Sequence, residues 1–364
     1  MESNMHRSLK TVALVATLAL VGLGCGDEKK PTGNDYGVFR SANSGETWGT
    51  ASAVLTTSGT KESLHTFADI RFLVQDPVNH EVMYAGTNKG LWVTENAGVS
   101  WIRPTSAVMQ NAAVLALAVN PKESCEVYAA VENAIQKTED CGRTWKAKYT
   151  KNEAVKSNQP DIFRSLAIDP TDTNVLYAGT RSGALMKSVD GGDSWNVKRR
   201  LNNDTVQDIF VHPNNHNILF MAGSRSGLFR SDDAGDTWSD ITPVFKLKKN
   251  DAKIHSTAAF SADGEVLIVA SKRGLSRTTD NGATWEELPL INAPGTELIF
   301  SVAINPTKPD EIYYGTLTGF YRSTDAGQNW QKKAIPTTKA VSALLIDKGD
   351  SNVVYLGARN ITVK

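Results

Sequence analysis

Residues 188–195 read SVDGGDSW, and the same octet returns six more times: SANSGETW at 41–48, TENAGVSW at 94–101, TEDCGRTW at 138–145, SDDAGDTW at 231–238, TTDNGATW at 278–285 and STDAGQNW at 323–330. Seven of the eight tryptophans close an octet, and successive ones stand 53, 44, 50, 43, 47 and 45 residues apart. Upstream of each octet lies an apolar run, a turn usually built on Asp/Asn-Pro, and a second apolar run ending in Gly or Ala. LAIDPTDTNVLYAGT at 166–180 and VAINPTKPDEIYYGT at 302–316 are examples; the turn recurs around Asp76, Asn120, Asp169, His212, Asp263, Asn305 and Asp347. Self-similarity at a fixed period of this length marks a repeat architecture.

Each repeat holds four short apolar segments parted by turn residues; in 165–200 they are SLAI, NVLYAG, GALMKS and SWNVKR. Strands apolar on both faces belong to sheets covered on both sides. Seven four-stranded units predict an all-β fold, a seven-bladed β-propeller of antiparallel blades. Residues 37–52 supply only a third and fourth strand, and 341–357 only a first and second. The expected ring is therefore closed by N- and C-terminal strands sharing one blade, which removes edge strands. Residues 361–364 also read as the start of a third strand and compete for that place.

The octet reads as the turn between the third and fourth strands. Its carboxylate or amide (Asn43, Asn96, Asp140, Asp190, Asp233, Asp280, Asp325) can accept from backbone N–H groups in the turn. Its indole (Trp48, Trp101, Trp145, Trp195, Trp238, Trp285, Trp330) can pack on the neighbouring blade. These residues are read as structural, and Trp92 as core.

The octets resemble Asp-box (BNR) repeats, which occur in sialidases, xyloglucanases, sortilin-type receptors and the photosystem II assembly factor. The resemblance covers residues 36–359, and GLFRS at 227–231 is most similar to the sortilin and xyloglucanase versions. It implies the propeller but brings no catalytic set. The sialidase Phe/Tyr-Arg-Ile-Pro segment is missing its Ile-Pro at 38–41 and 320–323. Xyloglucanases place substrate between two propellers, and one is present here. No catalytic residue is assigned from either family.

The first residues carry His6, Arg7 and Lys10, then TVALVATLALVGLG at 11–24, shorter than a membrane span requires. Residues 1–24 read as a lipoprotein-type signal peptide, with Cys25 as the lipidation site, 25–35 as a flexible tether and 36–364 as the propeller. The expected location is the bacterial cell envelope, lipid-anchored in the periplasm or on the outer surface of the outer membrane, or secreted if Cys25 is not lipidated. Cys125 and Cys141 fall in two turns on one face of a single blade, so a disulfide between them is expected.

Net charge is zero, with 39 basic and 39 acidic residues, which argues against nucleic-acid wrapping. The up-and-down topology puts first-to-second and third-to-fourth turns on one face, here the bottom, and these turns carry 23 of the 39 acids. The opposite, top face is expected to be basic, through Lys89, Arg181, Arg225, Lys272, Arg273 and Arg359 in its loops. Lys146, Lys148, Lys151, Lys156, Lys198, Arg199, Arg200, Lys246, Lys248, Lys249 and Lys253 are assigned to the crossings between blades. Asp69, Asp161, Asp208 and Glu297 begin or precede inner strands, with Arg71 and Arg164 beside two of them, and local ion pairing is the expected role of these charges. Together Asp69, Arg71, Lys89, Asp161, Arg164, Arg181, Asp208, Arg225, Arg273, Glu297 and Arg359 form the candidate ligand or partner surface.

The partner expected there is a protein or an anionic polysaccharide, steered by charge, with the membrane held through an N-terminal lipid. No nucleic-acid partner, cofactor or metal is expected, and the propeller is expected to be monomeric. His80, His212 and His216 are expected to be solvent-facing turn residues. The function expected from a complete propeller without a recognisable catalytic set is a non-catalytic binding or assembly scaffold for a protein or glycan. A glycoside hydrolase or lyase acting on a polysaccharide is the alternative.

Overall fold

A strand that is apolar on both faces is stable only with a neighbour on each side. The second strand of six blades meets this condition: Met83–Thr87, Val127–Val131, Leu176–Thr180, Leu219–Gly223, Leu267–Ser271 and Ile312–Thr316 are buried at every residue. The computed structural model describes residues 35–55, 62–64, 68–151, 161–242, 254–293 and 295–361. Cys25 and the signal peptide expected at 1–24 lie outside the described residues, as do Lys156, Lys246, Lys248, Lys249 and Lys253.

The sheets form seven antiparallel blades, each running from an inner strand at the axis to a short outer strand. The inner strands are Ile70–Gln75, Val114–Val119, Phe163–Ile168, Val206–Val211, Ile254–Phe260, Ile299–Ile304 and Ala340–Ile346, here blades 1 to 7. Neighbouring inner strands touch around the ring. Blade 7 is built from both ends of the chain: Gly37–Ser41 pairs with Val354–Arg359, with Gly49–Thr50 outside and Ala340–Ile346 inside. The N-terminal strand takes the place for which residues 361–364 compete. Ile361 instead reaches the central channel, and 362–364 lie outside the described residues.

Blade 1 departs from the pattern. Its outer strand shrinks to one bridge between Val93 and Ile102. A small ladder, Ala53–Val54 with Glu62–Ser63, lies alongside and bridges Val54 to Trp101. This segment accounts for the long first step between tryptophans. It also seals Trp101 completely, with its Nε1 donating to Ala51 O at 2.7 Å.

The apolar interior is divided into seven clusters, each lying between two blades and each holding one octet tryptophan. Trp92 is buried in the cluster that contains Trp101. The octets are built as the residue types suggest. Ser188 Oγ donates to Asp190 Oδ1 at 2.7 Å and accepts from Gly192 N at 2.9 Å. Asp190 Oδ1 accepts from Ser194 N at 2.9 Å, and Oδ2 from Ser194 Oγ at 2.6 Å. The fourth and fifth octet positions are both left-handed, including Ala234 at φ 56° and Gly235 at φ 85°. At Gly235 a Cβ would stand 2.9 Å from Tyr177 of the preceding blade. That tyrosine donates to Ala234 O at 2.8 Å, and Tyr128 and Tyr355 make the same bond to the octet of the next blade.

The bottom turns carry a second set of links between blades. Gln75 Nε2 donates to Asp347 Oδ2 at 2.9 Å, Cys125 N to Asp76 Oδ2 at 2.7 Å and Lys122 Nζ to Thr171 O at 2.6 Å. His212 is buried, not solvent-facing: its Nδ1 accepts from Asn214 N and Asn215 N at 3.1 and 3.0 Å, replacing the Asp or Asn oxygen used in other blades. His216 stands 3.3 Å from Asp169 Oδ2. Lys146, Lys148, Lys198, Arg199 and Arg200 belong to outer strands, not to crossings. Lys148 pairs with Asp193 at 2.5 Å and Lys198 with Asp236 at 2.7 Å, so these bases neutralise octet acids of the next blade.

A disulfide joins Cys125 to Cys141 across the bottom of blade 2, closing a separation of 16 residues. A loop of that length contributes about 3 kcal/mol in the chain-entropy account. The Cys125→Ser, Cys141→Ser double variant should lose about that much in a urea titration. The octet acids add an acid limit. Hydrogen bonds from Ser194, Thr237 and Thr284 hold Asp190, Asp233 and Asp280 at about 2. Their contribution is complete above the unfolded carboxylate value and is lost as pH falls through about 2. The urea midpoint should therefore fall steeply between pH 4 and pH 2, and Asp233→Asn should flatten that fall.

Candidate functional site

Six inner strands carry a β-bulge at the same place. The register slips between Ile70 and Phe72, Val114 and Ala116, Phe163 and Ser165, Val206 and Asp208, Ile299 and Ser301, and Val341 and Ala343. The skipped residues are Arg71, Leu115, Arg164, Gln207, Phe300 and Ser342, and all six line one open cavity of about 300 Å³ at the channel mouth. A bulge frees one residue from the ladder and re-aims its side chain, a device common beside active sites. Asp208, Arg359 and Ile361 stand in the same wall.

The acids at the blade crossings divide into two kinds. Asp161 accepts from Ser182 N at 2.9 Å and Ser182 Oγ at 2.5 Å, tying its own blade's top loop. Asp69 accepts from Asn360 N at 2.8 Å, and Glu297 from Thr318 Oγ1 at 3.1 Å and Tyr321 OH at 3.2 Å. Asp204, which nothing in the sequence singled out, accepts from Ser224 Oγ, Arg225 N and Ser226 N at 2.5, 3.0 and 2.7 Å. These are latches on top loops. Ion pairing, expected for these charges, is absent at Arg71 and Arg164: among the described residues no carboxylate lies within ion-pair distance of either.

Asp208 is the second kind. It is half-buried in the cavity wall and accepts a single bond, from Ile209 N at 2.9 Å. Desolvation pushes its carboxyl up to about 7. Four residues away, burial would also raise Asp204, but bonds from Ser224, Ser226 and two backbone N–H groups hold it below the ordinary carboxylate range. Environments that drive two acids apart in this way separate structural from chemical carboxylates.

The structure thus brings together Arg71, Arg164, Asp208 and Arg359 from the expected surface. Arg71 donates Nη1 to Asn88 Oδ1 at 2.8 Å. Burial and the charges of Arg359 and Arg164 lower its basicity, and burial, Arg181 and Arg359 lower that of Arg164. The other candidates lie elsewhere. Arg273 and Glu297 line a separate small pocket between blades 5 and 6. Arg225 stands 3.7 Å from Asp204. Lys89 is exposed on the top loop of blade 1. Among the described residues no group of three His, Cys, Asp or Glu could hold a metal ion, and no helix is long and apolar enough to cross a membrane.

Residues 200–357 match the family described as photosynthesis system II assembly factor YCF48. A xyloglucanase from Hypocrea jecorina is 33% identical over 138 residues, which is 33% of this chain and 16% of that enzyme. Among solved structures, the GH74 xyloglucanase from Xanthomonas campestris superposes with a TM-score of 0.64 at 18% identity, over 80% of this chain and 51% of that one. YCF48 bound to D1 peptide superposes with a TM-score of 0.60 at 15% identity, over 82% of this chain and 94% of that one. The family match over residues 200–357 supports the Asp-box (BNR) resemblance, and the solved structures share the propeller fold.

This Asp-box propeller spans about half the length of the xyloglucanase structure it matches, and a smaller part of the sequence relative. The expectation of a non-catalytic scaffold is overturned. The sequence similarity at 33% identity is to a xyloglucanase, which favours the glycan-cleaving alternative. The expected local pairing of the mouth charges also fails: among the described residues Asp208, Arg71, Arg164 and Arg359 make no ion pair, and Asp208 accepts only from Ile209 N.

Asp208 gives a direct test of the site. An acid whose folded value is raised costs stability once ionised, so the penalty grows as pH rises from the ordinary carboxylate range through about 7. Asp208→Asn should leave the melting temperature nearly unchanged at pH 4.5 and raise it at pH 8. An equal shift at both pH values would show that the carboxyl titrates normally.

Proposed function

We propose that this propeller acts on a polysaccharide as a glycoside hydrolase, with the channel mouth as its sugar site. The observation that carries the proposal is Asp208: a half-buried carboxyl held up to about 7 in the wall of an open cavity of about 300 Å³. A carboxylic acid that keeps its proton near neutrality is the donor that glycoside hydrolysis needs for the departing oxygen. The cavity size is at the lower end for small-molecule sites and suits a short stretch of sugar. Phe300, Leu115 and Ile361 offer apolar surface to a sugar ring, and Gln207 an amide for a hydroxyl. The xyloglucanase similarity supports the substrate class.

Hydrolysis needs a second carboxylate. Among the described residues the cavity wall holds no carboxylate besides Asp208, so the proton donor alone is assigned. Export through the signal peptide expected at residues 1–24 would put such an enzyme where polysaccharides are found.

Reducing-end release from a panel of plant and bacterial polysaccharides checks this. The wild type should hydrolyse at least one member, and Asp208→Asn should slow it by about 10²-fold or more. An unchanged rate in Asp208→Asn, or no release and no binding across the panel, would refute it.

A further inference from the structure

The mouth holds three guanidinium groups that no carboxylate neutralises among the described residues. Arg71 and Arg164 are the bulge residues of blades 1 and 3, and Arg359 ends the second strand of blade 7. They approach one cavity from three separate blades. All three are half-buried. Among the described residues none has an ion-pair partner, and the buried Nε of Arg359 has no hydrogen-bond acceptor. The one carboxyl in the same wall, Asp208, makes no ion pair with them and bonds only Ile209 N. Like charges gathered in a partly dry pocket repel and stay poorly solvated. Such an arrangement costs stability and persists where something outside the protein completes it.

We infer that Arg71, Arg164 and Arg359 form a carboxylate subsite, and that the polysaccharide this propeller acts on contains uronic acid. The inference rests on the glycan-cleaving proposal and narrows its substrate class. The planar fork of a guanidinium matches a carboxylate with two parallel N–H···O bonds. Three forks around one cavity exceed what a neutral sugar can use, since its hydroxyls would leave the charges unmet. The apolar side chains of Leu115, Phe300 and Ile361 in the same wall would hold the sugar ring and exclude water, which strengthens each charged bond. A sulfated sugar shares part of this chemistry, and the experiment separates it from a uronate.

The test is calorimetric titration of the full chain at low and high salt. The probes are oligogalacturonate, oligoglucuronate, cello-oligosaccharide, a sulfated oligosaccharide and inorganic sulfate. A uronate oligomer should bind at least tenfold more tightly than the neutral one and weaken as salt rises. Arg164→Gln and Arg359→Gln should each lose about tenfold for the uronate and nothing for the neutral sugar, with Arg164→Lys recovering part of the loss. The same Gln variants should melt at a higher temperature than wild type, because they remove a repelling charge; a structural role predicts lower melting. Equal binding of neutral and acidic sugars, or Arg variants that leave uronate binding unchanged, would overturn the subsite while leaving the hydrolase proposal standing. Tighter binding of the sulfated sugar would assign the site to sulfate and overturn the uronate. Arginine-dependent binding of inorganic sulfate with no sugar bound would overturn both.

Discussion

The hydroxyl-to-carboxyl bond inside the octet governs the ring. A propeller has no single centre onto which the chain collapses, so each of its seven seams must hold separately. Ser188 on Asp190, and its counterparts in the other blades, force two successive left-handed residues. That bend delivers the indole to the seam and turns the fourth octet carbonyl toward the tyrosine of the preceding blade. The short, charged octet therefore sets the spacing between blades, although most of the burial comes from residues outside it. The glycine is obligatory at position 235 for two reasons at once: the left-handed backbone and the approach of Tyr177.

A scaffold fixed at every seam can hold charge where charge is unfavourable. The mouth arginines come from three blades, and none can retreat without breaking a sheet paired along its length. Asp208 and Asp204 show the same principle at short range. One is given three backbone N–H groups and two hydroxyls and serves as a clamp; the other is given one N–H and keeps its proton. The difference is made by the backbone N–H and hydroxyl groups within reach, not by depth alone.

Much of this was legible from residues. The octets counted the blades, the incomplete repeats at the two ends of 37–357 located the closure, and the turn positions of Cys125 and Cys141 predicted their bond. The mouth was legible only in part. Arg71, Arg164, Asp208 and Arg359 could be placed near the top of the channel, but a bulge adds one residue without disturbing the apolar pattern that defines the strand, so the ring of bulges was invisible. Asp69, Asp161 and Glu297 looked like site acids because a carboxylate at the start of an inner strand carries the same letters whether it pairs, latches or reacts. Asp204 was missed for the converse reason: its partners are backbone N–H groups and serines twenty residues away, which leave no charge pattern. Lys148 and Lys198 were assigned to crossings because the outer strands are polar and read as loops.

The bulges also bear on how such a protein diversifies. A residue that stands outside the ladder has few neighbours that depend on its identity. In this chain the six equivalent positions already hold arginine twice, and leucine, glutamine, phenylalanine and serine once each. The ring thus behaves as a set of interchangeable addresses on a fixed frame. Drift at those addresses can rewrite specificity while folding is left intact, so paralogues of similar fold can part company in ligand through a few point changes at the rim.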